Sequence, residues 1–300
     1  SNHPNVMALT ATATEKVQAD LVRILNIEET IVTGFARVNL AIKIEKGLTD
    51  AEKRKYVRSY VKNHSADVGI IYAGTRKKVD EVWELLQQSG VSAGRYHAGM
   101  SDEARELAQN GFLYDDFQVI VATNAFGMGI NKTNVRYVIH LTMPGAIEAY
   151  YQEIGRAGRA GLPSESVLLY SARDIQLQRF FIDMADNQDT AYRHKELAKL
   201  QEMTAFASTQ MCLQRYIIQY FGEEMADCGI CSNCTDDREL IDVTIDAQKV
   251  LSNIVRMSQL REGSYSRTQV VNVLRGKLPE KMLWTGFDTL STYGLMADRS

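Results

Sequence analysis

Between residues 68 and about 170, short apolar runs alternate with amphipathic helical segments. That alternation confines this part of the chain to a parallel sheet covered by helices on both faces. Val68-Gly69-Ile70-Ile71-Tyr72 is apolar along its length, as a strand buried on both sides must be. The next segment places Val79, Val82, Trp83 and Leu86 on one helical face and ends at Gly90. A short strand near Arg95-Tyr96-His97 follows, then a helix opened by Ser101-Asp102, a favourable cap. Residues 117–121 and 135–139 read as two more buried strands. Ile147, Tyr150, Tyr151 and Ile154 make a helical stripe, and residues 166–170 the last strand. The expectation is one doubly wound α/β domain.

The flanks differ. Residues 5–11 read as one more strand, leading into a helix with Val17, Leu21, Ile24 and Leu25 inward. One strand and one helix cannot fold alone, so they read as the tail of a preceding domain. After Asp174 strand signals stop. A helical region runs to about Phe221, then a cysteine-bearing loop, then a smaller unit from about Glu239. In that unit Ala247, Val250, Leu251 and Ile254 are expected on one buried helical face, and Val270, Val271 and Leu274 on another.

Composition excludes more than it assigns. With 300 residues, 45% hydrophobic and 24% charged, the chain is that of a soluble globular protein of two or three units. No apolar run approaches the ~18 residues of a membrane span, and nothing marks secretion, so a cytoplasmic location without membrane association is expected. The 34 basic and 37 acidic residues give a net charge of −3, so any nucleic-acid surface must be local.

Tyr151-Gln152-Glu153-Ile154-Gly155-Arg156-Ala157-Gly158-Arg159 carries two arginines three apart in a glycine-punctuated turn at a helix end. The glycines let backbone approach a phosphate, and each guanidinium offers a planar fork of donors. The alternative is a solvated arginine pair. A second candidate, Val121 through Lys132, follows a buried strand directly. There Gly127 and Gly129 free backbone N–H groups to face an oxyanion, and Thr123 and Lys132 add side-chain donors. An ordinary glycine-rich connection remains open, and spacing does not choose between nucleotide and nucleic-acid phosphates. Tyr72-Ala73-Gly74-Thr75-Arg76-Lys77-Lys78 opens a helix, where Thr75, Arg76 and Lys77 suit a sugar-phosphate backbone or simply a capped, solvated turn. His97-Ala98-Gly99 is a weaker signal of the same kind.

All four cysteines fall in one stretch: Cys212, Cys228, Cys231 and Cys234. Four thiolates close a tetrahedral zinc site with no open position, so the expected Zn²⁺ is structural. No G-x-x-x-x-G-K-[ST] phosphate loop is present, and the pairs Asp80-Glu81 and Asp102-Glu103 lie in exposed helical patterns rather than where they would hold Mg²⁺. This chain alone is not expected to hydrolyse a nucleotide.

Taken in order, Ala8-Leu9-Thr10-Ala11-Thr12-Ala13, Gly69 to Tyr72, Tyr96 to Gly99, Val121 to Lys132 with Gly127-Met128-Gly129-Ile130-Asn131-Lys132, and Tyr151 to Arg159 resemble RecQ-family DNA helicases. The cysteine spacing is similar to that family's zinc-binding subdomain, and the resemblance covers essentially all 300 residues. It implies RecA-like architecture: 1–34 the end of a first motor lobe, 35–172 the second lobe, 173–238 a helical zinc-binding subdomain, and 239–300 an incomplete winged helix. It also implies ATP and Mg²⁺ bound between lobes, 3′–5′ movement on single-stranded and partially duplex DNA, a role in DNA repair and recombination, and bacterial nucleoid association in use. Arg159 would be the arginine finger, Arg156 a second phosphate contact and Gln152 part of the same motif. Gly127, Gly129 and Asn131 would lie at the nucleotide. Thr10, Thr12, Thr75, Arg76, Lys77, His97 and Thr123 would follow the DNA. Ala160 departs from the aspartate usual in the family after the final arginine. The competing readings are a non-catalytic DNA- or protein-binding module and an RNA helicase of the same superfamily.

Overall fold

Leu40, Ile42 and Ile44 alternate with half-buried Ala41 and Lys43, and this period-two pattern forms the first strand, β1 (Leu40–Lys46). The apolar-run reading above missed it, because an edge strand buried on one face carries charge on the other. The structure is a computed structural model that describes residues 6–10, 12–32, 34–127, 130–185, 190–237 and 242–299. Two compact units result, Ser1–Asp236 and Asp237–Ser300.

The first unit is built on six parallel strands: β1, β2 (Val68–Tyr72), β3 (Ala93–Tyr96), β4 (Val119–Ala122), β5 (Val135–His140) and β6 (Ser164–Tyr170). Their spatial order is β1-β6-β5-β2-β4-β3. The doubly wound α/β expectation therefore holds. Helices α2 (Asp50–Asn63) and α3 (Arg76–Gln88) bury Val57, Val61, Val79, Val82 and Leu86 on one face, against Ile71, Val121 and Ile139. The opposite face, with Ile42, Ile70, Ile120, Val138 and Leu168, takes Phe112 of α4 (Asp102–Leu113) and Ile147 and Tyr150 of α5 (Ile147–Ile154).

That second face does not end with the sheet. Helices α6 (Ala172–Met184), α7 (Thr190–Ser208) and α8 (Leu213–Tyr220) follow, and Met203, Phe206, Leu213, Ile217 and Phe221 join the same core, together with Cys212 and Cys231. The cysteine-bearing segment and the sheet share one hydrophobic interior.

A buried ion pair fastens α2 to the start of α6. Lys53 Nζ lies 3.3 Å from Asp174 Oδ2 and donates to Leu141 O at 2.8 Å. Asp174 also accepts from the backbone of Met143 at 3.3 Å and of Ser171 at 3.1 Å. Burial depresses the Lys53 pKa despite the neighbouring carboxylate, so the pair persists because it is hydrogen-bonded throughout. Asp174→Ala leaves a buried, uncompensated ammonium and is expected to cost about 3–5 kcal/mol, read as a lowered urea midpoint. An unchanged midpoint would contradict this assignment.

Two expectations at the N-terminal end are corrected. Residues 6–10 form no strand, with Val6, Met7 and Leu9 more than half exposed, and Asn5 and Ala11 lie outside the described residues. A strand must pair its N–H and C=O groups with a neighbour, and this segment has none among the described strands. Helix α1 (Glu15–Leu25) accordingly buries no residue; Val17, Ile24 and Leu25 are exposed.

In the second unit, α9 (Thr244–Leu260) turns Asn253 and Met257 inward, while Ala247, Leu251 and Ile254 face solvent. A polar anchor decides the face: Asn253 Oδ1 accepts from the Thr292 hydroxyl at 2.7 Å in a fully buried position. Apolar periodicity could not register it. Helix α10 (Arg267–Leu274) buries Leu274, and Val273 beside Met257 and Phe287, whereas Val271 is exposed.

Candidate functional site

Strands β2 and β5 are paired to their carboxyl ends, but the chain leaves them in opposite directions. β2 leads through α3 to β3 on one side, and β5 leads through α5 to β6 on the other. Such a switch point leaves a crevice in which α/β folds bind ligands. Here the crevice is a cavity of about 600 Å³ whose lining includes Thr75, Arg76, Thr123, His140, Thr142 and Glu153. Thr75, Arg76 and Thr123 are thus brought together. The Thr75 hydroxyl caps α3 by accepting from Lys78 N at 3.2 Å, which leaves its own proton available. Lys77 is exposed beside Arg76.

His97 sits at the end of β3, buried, with both ring nitrogens engaged. Nδ1 accepts from Gly99 N at 3.1 Å, so Nε2 carries the proton toward Asp80 Oδ1 at 3.3 Å. Asp80 is further held by Arg95 at 2.6 Å, and Asp102 by Arg105. These two carboxylates thus pair with basic groups of their own chain.

The arginine turn lies between α5 and β6. Gly158 adopts φ +68°, and an added Cβ would stand 2.5 Å from Asn39 Nδ2, so only glycine fits this close approach. Arg159 Nη1 donates to Ile130 O at 2.9 Å and to Asn131 Oδ1 at 3.2 Å. Arg156 Nη1 donates to Gly127 O, and its Nε is buried without a partner among the described residues. Arg37, which the sequence reading did not single out, reaches Ala157 O at 2.8 Å and Gly155 O at 3.5 Å. These hydrogen bonds all go to carbonyl oxygens, and none of the three guanidiniums is ion-paired among the described residues. Arg159's pKa is lowered, first by partial burial and then by the like charges of Arg156 and Arg37. The cluster is an unneutralised concentration of positive charge.

Gln152 Nε2 donates to Thr12 Oγ1 at 2.7 Å, and Thr10 Oγ1 donates to Thr12 O at 3.3 Å, so these three sequence candidates meet. Glu153 turns the other way, into the fold, and pairs with buried His140 at 2.8 Å. Gly127 is buried against Arg156, and Asn131 is exposed beside Arg159; Gly129 lies outside the described residues. Lys132 requires a correction. Its ammonium is buried, bound to Asp115 at 2.8 Å and Leu113 O at 3.1 Å, and so is not an outward phosphate donor.

Cys212, Cys228, Cys231 and Cys234 place their Sγ atoms within 4.8 Å of one another, with Cys228 and Cys234 4.0 Å apart. Four sulfurs about 2.3 Å from a central zinc would lie about 3.8 Å apart, so the set fits the ion. Backbone N–H groups point at the sulfurs as they would at thiolates: Cys228 N to Cys212 Sγ at 3.2 Å, Leu213 N to Cys231 Sγ at 3.3 Å, and Cys231 N to Cys228 Sγ at 3.3 Å. All four corners are taken by protein, which makes the site structural.

Comparison with known proteins gives three consecutive family matches: the helicase conserved C-terminal domain over residues 52–161, the RecQ zinc-binding family over 172–235, and the RQC domain over 237–300. The middle match coincides with the cysteine cluster just described. The chain belongs to the RecQ family. It is 47% identical over 99% of its length to the ATP-dependent DNA helicase RecQ of Bacillus subtilis, 40% over 98% to that of Haemophilus influenzae, and 39% over 99% to that of Pasteurella multocida. The chain spans about half the length of these RecQ relatives, 49%, 47% and 46%. No helix among the described residues of this RecQ-family chain is long and apolar enough to cross a membrane.

Proposed function

We propose that this chain supplies the second motor lobe, zinc module and RQC unit of an ATP-dependent 3′–5′ DNA helicase acting in repair and recombination. The observation that carries the reading is the cluster of Arg37, Arg156 and Arg159, three cations without a carboxylate partner among the described residues, fixed by main-chain carbonyls. Such a cluster suits polyphosphate presented from a facing lobe that holds ATP and Mg²⁺ itself. Arg159 is the finger: with one terminal nitrogen anchored on Ile130 O, the rest of its fork can reach charge that develops on the transferring phosphoryl group. Arg156 is a second phosphate contact. Gln152, hydrogen-bonded to Thr12, ties the turn to the segment that would couple hydrolysis to DNA. Gly127, Gly129 and Asn131 belong to the nucleotide side of this arrangement.

On the DNA side, Thr75, Arg76 and Thr123 at the switch-point crevice, with Lys77, Thr10 and Thr12, follow one strand through its phosphates. His97 takes part by shaping the β3 end. The RQC unit takes the duplex portion of a partially duplex substrate. A cytoplasmic, nucleoid-associated setting follows from that substrate.

The experiment is single-strand DNA binding by this chain across a salt series. Log K is expected to fall with log salt at about −0.7 per phosphate contact, and Arg76→Ala to reduce the slope by about one contact's share. A salt-independent affinity, or an Arg76→Ala slope equal to the parent's, would remove the DNA track from this crevice.

A further inference from the structure

Residues 37–40 form a short turn that runs into the first residue of β1 and is held from two sides. On one side Gln214 Nε2 donates to Arg37 O at 3.0 Å and to Leu40 O at 2.7 Å. On the other, the turn's own side chains grip the arginine turn. Arg37 holds the carbonyls of Gly155 and Ala157, and Asn39 Nδ2 holds those of Gly158 at 2.8 Å and Leu162 at 3.0 Å. Four carbonyls around Arg156 and Arg159 thus accept from two side chains of one turn; Gly158 O also accepts from Gly161 N at 3.0 Å and Leu162 O from the Ser164 hydroxyl at 3.1 Å.

Gln214 is in turn placed by the cysteine cluster. It is the second residue of α8, whose N-cap is Cys212; the Cys212 sulfur accepts from Arg215 N at 3.5 Å, and the Cys231 sulfur accepts from Leu213 N. Negative sulfur at a helix N-terminus is favourable, so a metal-bound thiolate set fixes where this first turn begins. Two further contacts run parallel. Phe35 stacks on Phe221 at 4.7 Å and 18°, and Phe35 N donates to Glu223 Oε2 at 3.2 Å.

We infer that Gln214, Arg37 and Asn39 are positioning residues that connect the cysteine knuckle to the arginine turn, so that metal binding at one conditions the geometry of the other. The functional weight of this relay rests on the proposed role of Arg159; its mechanical part does not. Removing Gln214's amide takes a donor from the buried Leu40 O and leaves the part-buried Arg37 O with Leu40 N at 3.0 Å, which loosens the 37–40 turn and with it the grip on the 155–162 backbone. Among the described residues Gln214 hydrogen-bonds to main-chain carbonyls and to no cysteine side chain, so its replacement leaves the ligand set intact.

The test is hydrogen exchange of the zinc-loaded chain, with zinc content measured for each variant. Gln214→Leu and Arg37→Met are each expected to keep one zinc per chain and to speed exchange across residues 155–162 by roughly tenfold or more, with β2 changing less than about twofold. Arg37→Lys keeps a cation and a donor and is expected to recover most of the protection. Unchanged exchange at 155–162 in Gln214→Leu would overturn the relay, as would equal acceleration in β2, which signals general loosening. Tripolyphosphate titration of the parent chain separates the two readings. Altered exchange without tripolyphosphate binding keeps the relay and removes the phosphate role of the arginines. Binding with unchanged exchange does the reverse.

Discussion

Arg159→Ala, placed in a protein that joins this chain to a nucleotide-binding lobe, is expected to slow ATP hydrolysis by about 10³–10⁵ while leaving ATP affinity nearly unchanged. The size follows from where the side chain acts. A guanidinium aimed at charge that develops only in the transition state contributes to kcat and little to ground-state binding. The geometry favours such a role because Arg159 is anchored by Ile130 O and Asn131 Oδ1 rather than neutralised by an acid. Burial and the charges of Arg156 and Arg37 already oppose its cation, so a polyanion at this place relieves like-charge repulsion. Arg159→Lys retains a charge but loses the planar fork, and should restore only a small part of the rate. A variant that turns over normally, or one that loses ATP binding in proportion to rate, would contradict the finger assignment.

Zinc removal is the second large effect. Structural zinc sites contribute of order 10–16 kcal/mol of binding free energy that is also folding free energy. Burial raises the thiols of Cys228 and Cys234, and a divalent cation at the centre reverses that preference. Without it, four sulfurs crowd one buried site. Because Cys212 and Cys231 share a core with Phe206, Leu213, Ile217 and the sheet residues Ile42 and Leu168, the damage should not stop at the loop. Chelation, or Cys231→Ser, is expected to melt α7 and α8 and to expose that face of the sheet. The loss would appear as reduced far-ultraviolet helix signal and a melting transition lowered or absent at 37 °C. A zinc-free chain with the parent's helix signal and melting transition would show that the cluster is incidental to folding.

The sequence made the central strands legible and the edges less so. Residues 68–72 and 119–122 are apolar throughout because both faces are covered, and 135–140 departs from that only at Arg136 and His140; such runs announce themselves. β1 escaped because Lys43 and Glu45 interrupt it; its alternation was the available signal. α2 escaped too, since only Lys53, Val57 and Val61 of its fourteen residues are buried. The cysteine set was legible by spacing, and the structure brings its four sulfurs together. The arginine turn was legible as a motif, but its supports were not. Arg37 and Asn39 act on carbonyls more than 115 positions away, and Gln214 acts on residues more than 170 positions away, distances at which one sequence carries no pairing signal. Lys132 misled for a related reason: a lysine after a glycine-rich loop suits a phosphate until Asp115, seventeen residues earlier, is seen beside it. The inward Asn253 of α9 likewise has its reason in Thr292, on a different segment.

The measurement that bears most directly on the half-motor reading is ATP hydrolysis by the purified chain, with and without single-stranded DNA, beside the same chain joined to a nucleotide-binding lobe. No turnover by the chain alone, and DNA-stimulated turnover by the joined protein that disappears with Arg159→Ala, is the expected result. DNA-stimulated turnover by the chain alone would mean that a complete nucleotide site lies within these 300 residues, and the division of labour between two lobes would be wrong.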